Sequence, residues 1–343
     1  MQNITKVDFE LKSQSVFLER LHQVVGGELL DSETLVFDDS HPVLSCTIKR
    51  LQIREGLRIL IARNINIKKN LSFERLMDIS NSFIVAHIYI ADYPLFINVS
   101  DTTIQLNKGI IFNCSDISFI DNLPVEQPFS LITFILNRHW IHDYLQPSKE
   151  DYLSKLLASN HTFSVIEEMP TSIEQLVKEI INIDIRDAFD KLSLDYKVFD
   201  FTIWAFKILE KRESPKAFVN LNRHDLQSIL SIQQVLMDNL AAPLPIKVLS
   251  KKLGMSESKL KTAFKQVYGT SIYQYIINCR MEKAFKMLES NTCMIGDVSF
   301  SLGYVNQSQF TKRFKEHFGM LPTDILKKNM SNTTHVNMPR SNV

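Results

Sequence analysis

The sequence predicts an α+β chain of two domains: an N-terminal antiparallel β domain with flanking helices, then a C-terminal all-α domain. Three observations carry this. Short apolar runs separated by turn residues recur between about residues 40 and 137. Helical periodicity replaces them after His139. Charge also segregates: residues 1–223 hold 24 Lys+Arg and 30 Asp+Glu, a net of −6, whereas residues 224–330 hold 14 and 8, a net of +6. The overall net charge of +1 conceals this contrast. A length of 343 residues is itself suited to two domains of about 100–200 residues each.

In the β domain the expected strands are 45–53, 58–67, 82–90, 95–99, 102–106, 109–112 and 130–136. They are punctuated by Glu55-Gly56, Lys69-Asn70, Tyr93-Pro94, Asn107-Lys108-Gly109 and Pro124, which suits a sandwich or barrel. Ile59 and Ile61, and again Ile65 and Ile67, alternate with polar residues, which fits half-buried strands with a bulge or bend between them. Residues 140–157 read as helical in part. Segments 171–183 and 192–211 read as amphipathic helices, the first opened by Thr171. Such a pair is either a packed cap on the β domain or a dimerisation surface, and periodicity leaves both open.

The domain organisation that follows is residues 1–212 for sensing and/or dimerisation (β-rich over 40–137, helical over 140–212), a linker at 213–223, a helical domain at 224–330 and a disordered tail at 331–343. A composition of 45% apolar and 22% charged residues excludes collagen-like or low-complexity chains. Four scattered cysteines without C-x-x-C spacing predict free thiols in a reducing compartment. The start has no signal-peptide pattern and no apolar run is long enough for a membrane span, so a cytoplasmic protein without membrane partners is expected.

The most informative feature is a repeat in the basic segment. Leu249 to Gly254, then Leu260, Phe264 and Gly269, are echoed by Val298 to Gly303, then Phe310, Phe314 and Gly319. The offset is 49 residues before the turn and 50 after it. Each copy has the grammar of a helix-turn-helix. A short helix ends at a glycine, where positive φ is tolerated, and Ser256 or Asn306 caps the next helix. The apolar stripe of that helix is Leu260, Phe264 and Val267 in one copy and Phe310, Phe314 and Phe318 in the other. The other faces carry Ser258, Lys259, Lys261, Thr262 and Lys265, and Gln307, Ser308, Gln309, Thr311, Lys312 and Lys315. Gln and Ser can address base edges in a major groove and Lys neutralises phosphates. One copy alone also fits a solvated helix face; two matched copies favour nucleic-acid reading. Between them residues 271–290 form a helix of about 30 Å, close to one DNA turn of about 34 Å.

On these residues the segment 226–328 resembles the AraC/XylS family of bacterial transcription regulators. The likeness includes Leu249 to Gly254, Ser256 to Gly269, Tyr275-Ile276, Arg280, Ala284, Leu288, Ile295, Val298 to Tyr304, Phe310, Arg313-Phe314-Lys315, Gly319 and Pro322. Ser250 and Ser299 stand where the family usually has Ala, and Ile325-Leu326 where it has Tyr-Arg. The resemblance implies two DNA-reading motifs joined by a helix, with Arg280 added to the DNA-binding set. It further implies double-stranded promoter DNA and RNA polymerase as partners, activation of transcription, and a cupin-like front domain that senses a small effector or forms a homodimer.

Enzymatic chemistry has little support. No phosphate loop or nucleophile elbow occurs, and His41, His87, His139 and His142 lack the spacing of a cupin metal site. No catalytic, cofactor or metal residue is therefore expected. A cupin-type metalloenzyme or ligand-binding protein with a non-functional helical domain stays open as the alternative. Aromatic residues such as Phe112, Phe129 and Phe134 fit either a sandwich core or a sensing pocket. Arg54, Arg58 and Arg63 fit an anionic effector or pairing with acidic neighbours.

Overall fold

The computed structural model describes residues 5–9, 17–69, 71–75, 82–93, 95–99, 102–106, 109–114, 119–122, 127–146, 152–158, 163–212, 221–290 and 293–333. The strands are β1 (Thr5–Phe9), β2 (Glu28–Asp31), β3 (Thr34–Phe37), β4 (Leu44–Arg54), β5 (Leu57–Ile67), β6 (Leu71–Arg75), β7 (Phe83–Ile90), β8 (Leu95–Val99), β9 (Thr102–Leu106), β10 (Gly109–Cys114), β11 (Phe119–Asn122), β12 (Phe129–Asn137) and β13 (Ser164–Glu168). The helices are α1 (Phe17–Val25), α2 (Arg138–Leu145), α3 (Tyr152–Ala158), α4 (Thr171–Asn182), α5 (Ala188–Glu210), α6 (Arg223–Asp238), α7 (Ile246–Lys252), α8 (Glu257–Tyr268), α9 (Ile272–Glu289), α10 (Ile295–Ser301), α11 (Gln307–Phe318) and α12 (Pro322–Thr333).

Packing divides the chain along different lines from composition. One compact unit joins Met1–Gln233 to Ser258–Gly269; the other joins Gln234–Glu257 to Thr270–Val343. Helix α8 thus groups with the β domain. Of the expected linker, residues 213–220 lie outside the described residues, as do 334–343 of the expected tail. Helix α12 takes in Ser331 to Thr333, which the sequence assigned to that tail. Its first turn is anchored by the Leu321 N–H donating to Asp324 Oδ2 at 2.9 Å, and the helix once begun continues.

In the first unit the described strands form two sheets. Eight run in the order β13-β10-β7-β12-β5-β4-β3-β2, with antiparallel pairing throughout. Five run β1-β6-β11-β8-β9, antiparallel except for the parallel pair β1–β6. All seven expected strands are present. The expected bulge lies in β5: Ala62 pairs with Leu131 and Ile65 with Phe129, so β5 has one residue more than β12 across that interval. Asn64 takes it up with a φ of 50°. Short β1, β2, β3, β6, β11 and β13 were not among the expected strands; β13 follows a helical stretch and is made a strand by pairing with β10.

Helices α4 and α5 cap this sheet. Asp187 accepts from the N–H groups of Phe189 and Asp190, so α5 starts at Ala188, ahead of the expected 192. Leu194, Val198, Phe201, Ala205 and Leu209 are buried along one face, and the Phe201 ring stacks 4.2 Å from Phe134 of β12. Phe112, Phe129 and Phe134 are likewise core residues. The arginines have protein partners: Arg63 pairs with Asp184 at 2.9 Å, while Arg54 and Arg58 lie over the rings of Phe199 and Phe83. His87 is buried against the Thr133 hydroxyl, 3.1 Å away. Asn113 and Ser164 face each other across β10 and β13, both buried, and the Asn113 carboxamide and Ser164 hydroxyl have no hydrogen-bond partner among the described residues.

In the second unit Ile277, Met281, Ala284 and Leu288 of α9 pack with Val298, Leu302, Tyr304, Phe310, Phe314 and Ile325. Rings run in a ladder from Tyr304 to Phe310 (5.5 Å), Phe314 (5.7 Å) and Phe318 (4.7 Å). Ile325 and Leu326, the departures from the family pattern, join this core.

Candidate nucleic-acid interface

The repeat seen in sequence is a repeat of backbone geometry. Helix α7 ends at Leu253 with φ −95° and ψ 0°, and α10 ends at Leu302 with φ −96° and ψ 8°. Gly254 and Gly303 follow with φ of 63° and 80°. The Met255 N–H donates to Ser250 O at 3.0 Å and the Tyr304 N–H to Ser299 O at 3.1 Å, the same six-residue closure in both copies. Ser250 and Ser299 are themselves buried. The Ser250 hydroxyl donates back to Lys247 O at 3.1 Å, whereas the Ser299 hydroxyl has no hydrogen-bond partner among the described residues.

Helices α8 and α11 then follow, each preceded by its polar residue. The Asn306 side chain accepts from the Ser308 N–H at 2.8 Å; Ser256 is exposed at the corresponding place. Leu260, Phe264 and Val267, and likewise Phe310 and Phe314, are fully buried, so the polar faces turn outward. Both helices end at a glycine with positive φ, Gly269 at 71° and Gly319 at 72°, donating to Lys265 O and Lys315 O.

At 100° per residue, Gln307, Ser308, Thr311, Lys312 and Lys315 share one face of α11, and with Leu321 they line one shallow groove. Gln309 is exposed but points away from that face. Fifty residues earlier the same positions are Glu257, Ser258, Lys261, Thr262 and Lys265, of which all but half-buried Thr262 are exposed. Ser and the last Lys are common to both faces, and Lys and Thr exchange places between them. Glu257, opposite Gln307, is absent from the expected set; the repeat offset would have found it.

Two expected residues are used structurally. Lys259, the counterpart of Gln309, pairs with the buried carboxylate of Asp225 at 2.8 Å. Arg280 donates to Leu240 O at 2.8 Å and Ala241 O at 3.2 Å and lies 5.2 Å over the Tyr304 ring. Its fork holds the chain after α6 against the second turn, a role that spacing alone could not separate from phosphate contact.

Among the described residues no group of three or more His, Cys, Asp or Glu is placed to hold a metal ion, and no helix is long and apolar enough to cross a membrane.

Residues 249–328 match a helix-turn-helix domain family. The chain is 32% identical over 116 residues to the multiple antibiotic resistance protein MarA of Salmonella typhimurium, covering 34% of this chain and 91% of that one. It is 31% identical over 98 residues to the regulatory protein SoxS of the same organism, covering 29% and 92%. The chain belongs to the AraC/XylS family. This AraC/XylS member is a DNA-binding transcription regulator. Its likeness to the Msm operon regulatory protein of Streptococcus mutans reaches into the front half, at 24% identity over 246 residues, 69% of this chain and 81% of that one. These relatives are named as regulators, not as enzymes.

Proposed function

We propose that this regulator reads promoter DNA through two helix-turn-helix motifs, α7–α8 and α10–α11, with α8 and α11 each entering a major-groove segment. The observation that carries this is the pair of matched outward faces. Base selection falls to Glu257 and Ser258 on α8 and to Gln307 and Ser308 on α11, since Glu suits a cytosine amino group and Gln an adenine edge. Lys261, Lys265, Lys312 and Lys315 neutralise phosphates, beside Thr262 and Thr311. Residues 224–330 act as the DNA-binding domain and 1–212 as a cupin-like regulatory domain, in a cytoplasmic protein that activates transcription with RNA polymerase. Genome-wide mapping of DNA bound by the full chain, with reporters on the recovered promoters, is expected to yield a shared sequence and raised transcription. Uniform, sequence-independent coverage would end this reading.

A homodimer formed through α5 is part of the proposal. Opposite its buried face, α5 exposes Phe189, Leu192, Tyr196 and Ile203, spaced by three, four and seven residues like a coiled-coil seam. Phe189 is 81% and Tyr196 67% exposed, far more apolar surface than one solvated helix face ordinarily carries. Leu192→Asp with Tyr196→Glu is expected to halve the mass measured by light scattering and leave the melting of the β domain within a few degrees. An unchanged mass would remove α5 from the interface.

Reception of a small polar effector is supported by Asn113 and Ser164, buried side chains whose polar atoms have no hydrogen-bond partner among the described residues. A panel of neutral hydrogen-bonding metabolites is expected to contain one that raises the melting temperature, and Asn113→Leu to abolish that rise. A panel with no effect would speak against it.

A further inference from the structure

We propose that Arg212 is a latch tying the first reading helix, α8, to the β domain, so that the front half of the chain sets where α8 meets DNA. This rests on the reading of α8 as a DNA-contacting helix.

The guanidinium is almost fully enclosed, with 7% of its side chain exposed. Its Nε donates to the Glu167 carboxylate on β13. Nη2 donates to Ile166 O of the same strand at 2.9 Å, and Nη1 to Gln266 O of α8 at 2.6 Å. Val267 O lies 3.5 Å from Nη2. The buried Tyr152 hydroxyl of α3 donates to Gln266 O as well, at 3.1 Å, and its ring lies beneath the guanidinium. Gln266 and Val267 are in the last turn of α8, where carbonyls lack helical partners and the helix dipole is negative. One planar cation therefore joins strand β13, helix α3 and the end of α8.

A second tie lies nearby in the same unit. Gln233 of α6 exchanges both hydrogen bonds of its side-chain amide with the backbone of Gln105, at 2.8 and 2.9 Å, on the outer strand β9. Asp225 at the start of α6 in turn holds Lys259 near the start of α8. Helix α8 is thus fixed at both ends.

The repeat supplies the control. A Cβ on Gly269 would approach Arg212 Nη2 to 3.0 Å, whereas none of the described residues lies within 4 Å of the equivalent position at Gly319. The two copies match in their turns and outward faces, yet Arg212 engages the first. The latch does not cover the reading face, because Ser258, Lys261 and Lys265 remain exposed. It acts by placing α8, and a change in β13 or α3 reaches α8 through Arg212.

The test compares Tyr152→Phe and the matched pair Glu167→Leu with Arg212→Met, which removes both buried charges together, against the unaltered full chain. Hydrogen exchange without DNA is expected to speed about tenfold at residues 264–269 in the double variant, less in Tyr152→Phe, and to stay unchanged at residues 307–318. Affinity for a DNA fragment bound by the unaltered chain is expected to fall about tenfold. Unchanged exchange at 264–269, or equal acceleration at 307–318, would overturn the latch whether or not the chain binds DNA. Faster exchange at 264–269 with undiminished affinity would overturn its role in placing α8. If the double variant does not fold, Tyr152→Phe decides by the same criteria.

Discussion

Gly303→Ala is expected to cost about 2–5 kcal/mol and to abolish DNA binding, while Gly254→Ala at the equivalent turn costs about 1–2 kcal/mol. Both glycines have positive φ, so both alanines pay the left-handed penalty of about 1–2 kcal/mol. The difference is what surrounds them. A Cβ on Gly254 meets none of the described residues within 4 Å; one on Gly303 would lie 2.0 Å from Ala241 O. That carbonyl cannot readily retreat, because Arg280 holds it and its neighbour Leu240 O while lying on Tyr304. Denaturant unfolding followed by circular dichroism measures the loss. The two tryptophans, Trp140 and Trp204, are both in the front unit, so their fluorescence is an internal control expected to move little. Equal losses at the two glycines would show that the approach to Ala241 does not matter.

Lys312→Ala with Lys315→Ala is expected to weaken binding to a mapped promoter about a hundredfold and to flatten its salt dependence. Two phosphate contacts fewer lower the slope of log affinity against log salt by about 2. Gln307→Ala leaves that slope alone but erodes the preference for one base by about 1–3 kcal/mol. Gln309→Ala is expected to do neither, since Gln309 points off the face. Arg280→Met is expected to lower stability with the slope unchanged, because its donors are used on Leu240 O and Ala241 O. A slope that falls with Arg280→Met and not with the lysines would reverse this assignment. Salt titration by fluorescence anisotropy reads all of these.

Much of the site was legible from spacing. Glycines at offsets of 49 and 50 residues, the Phe310 and Phe314 anchors and the polar positions between them each followed from local rules: positive φ needs glycine, and one helix face must be apolar. The seven expected strands were legible as short apolar runs between turn residues, and the β5 bulge from the change of phase between Ile61 and Ile65. Glu257 was within reach through the repeat, since it stands fifty residues before Gln307.

The opposed charges of the two halves, the doubled motif and the family were determined by the sequence by itself, because composition and periodicity are properties of neighbours along the chain. The tertiary structure alone decided which polar side chains were already engaged. Lys259 meets Asp225 and Arg212 meets α8 across 34 and 54 residues of chain, and Arg280 meets Ala241 across 39. A charged side chain reads the same in sequence whether its partner is a phosphate or a buried carbonyl. What separates the two is proximity in space, which is why a chain that composition divides at about residue 223 is divided by packing so that α8 lies with the β domain.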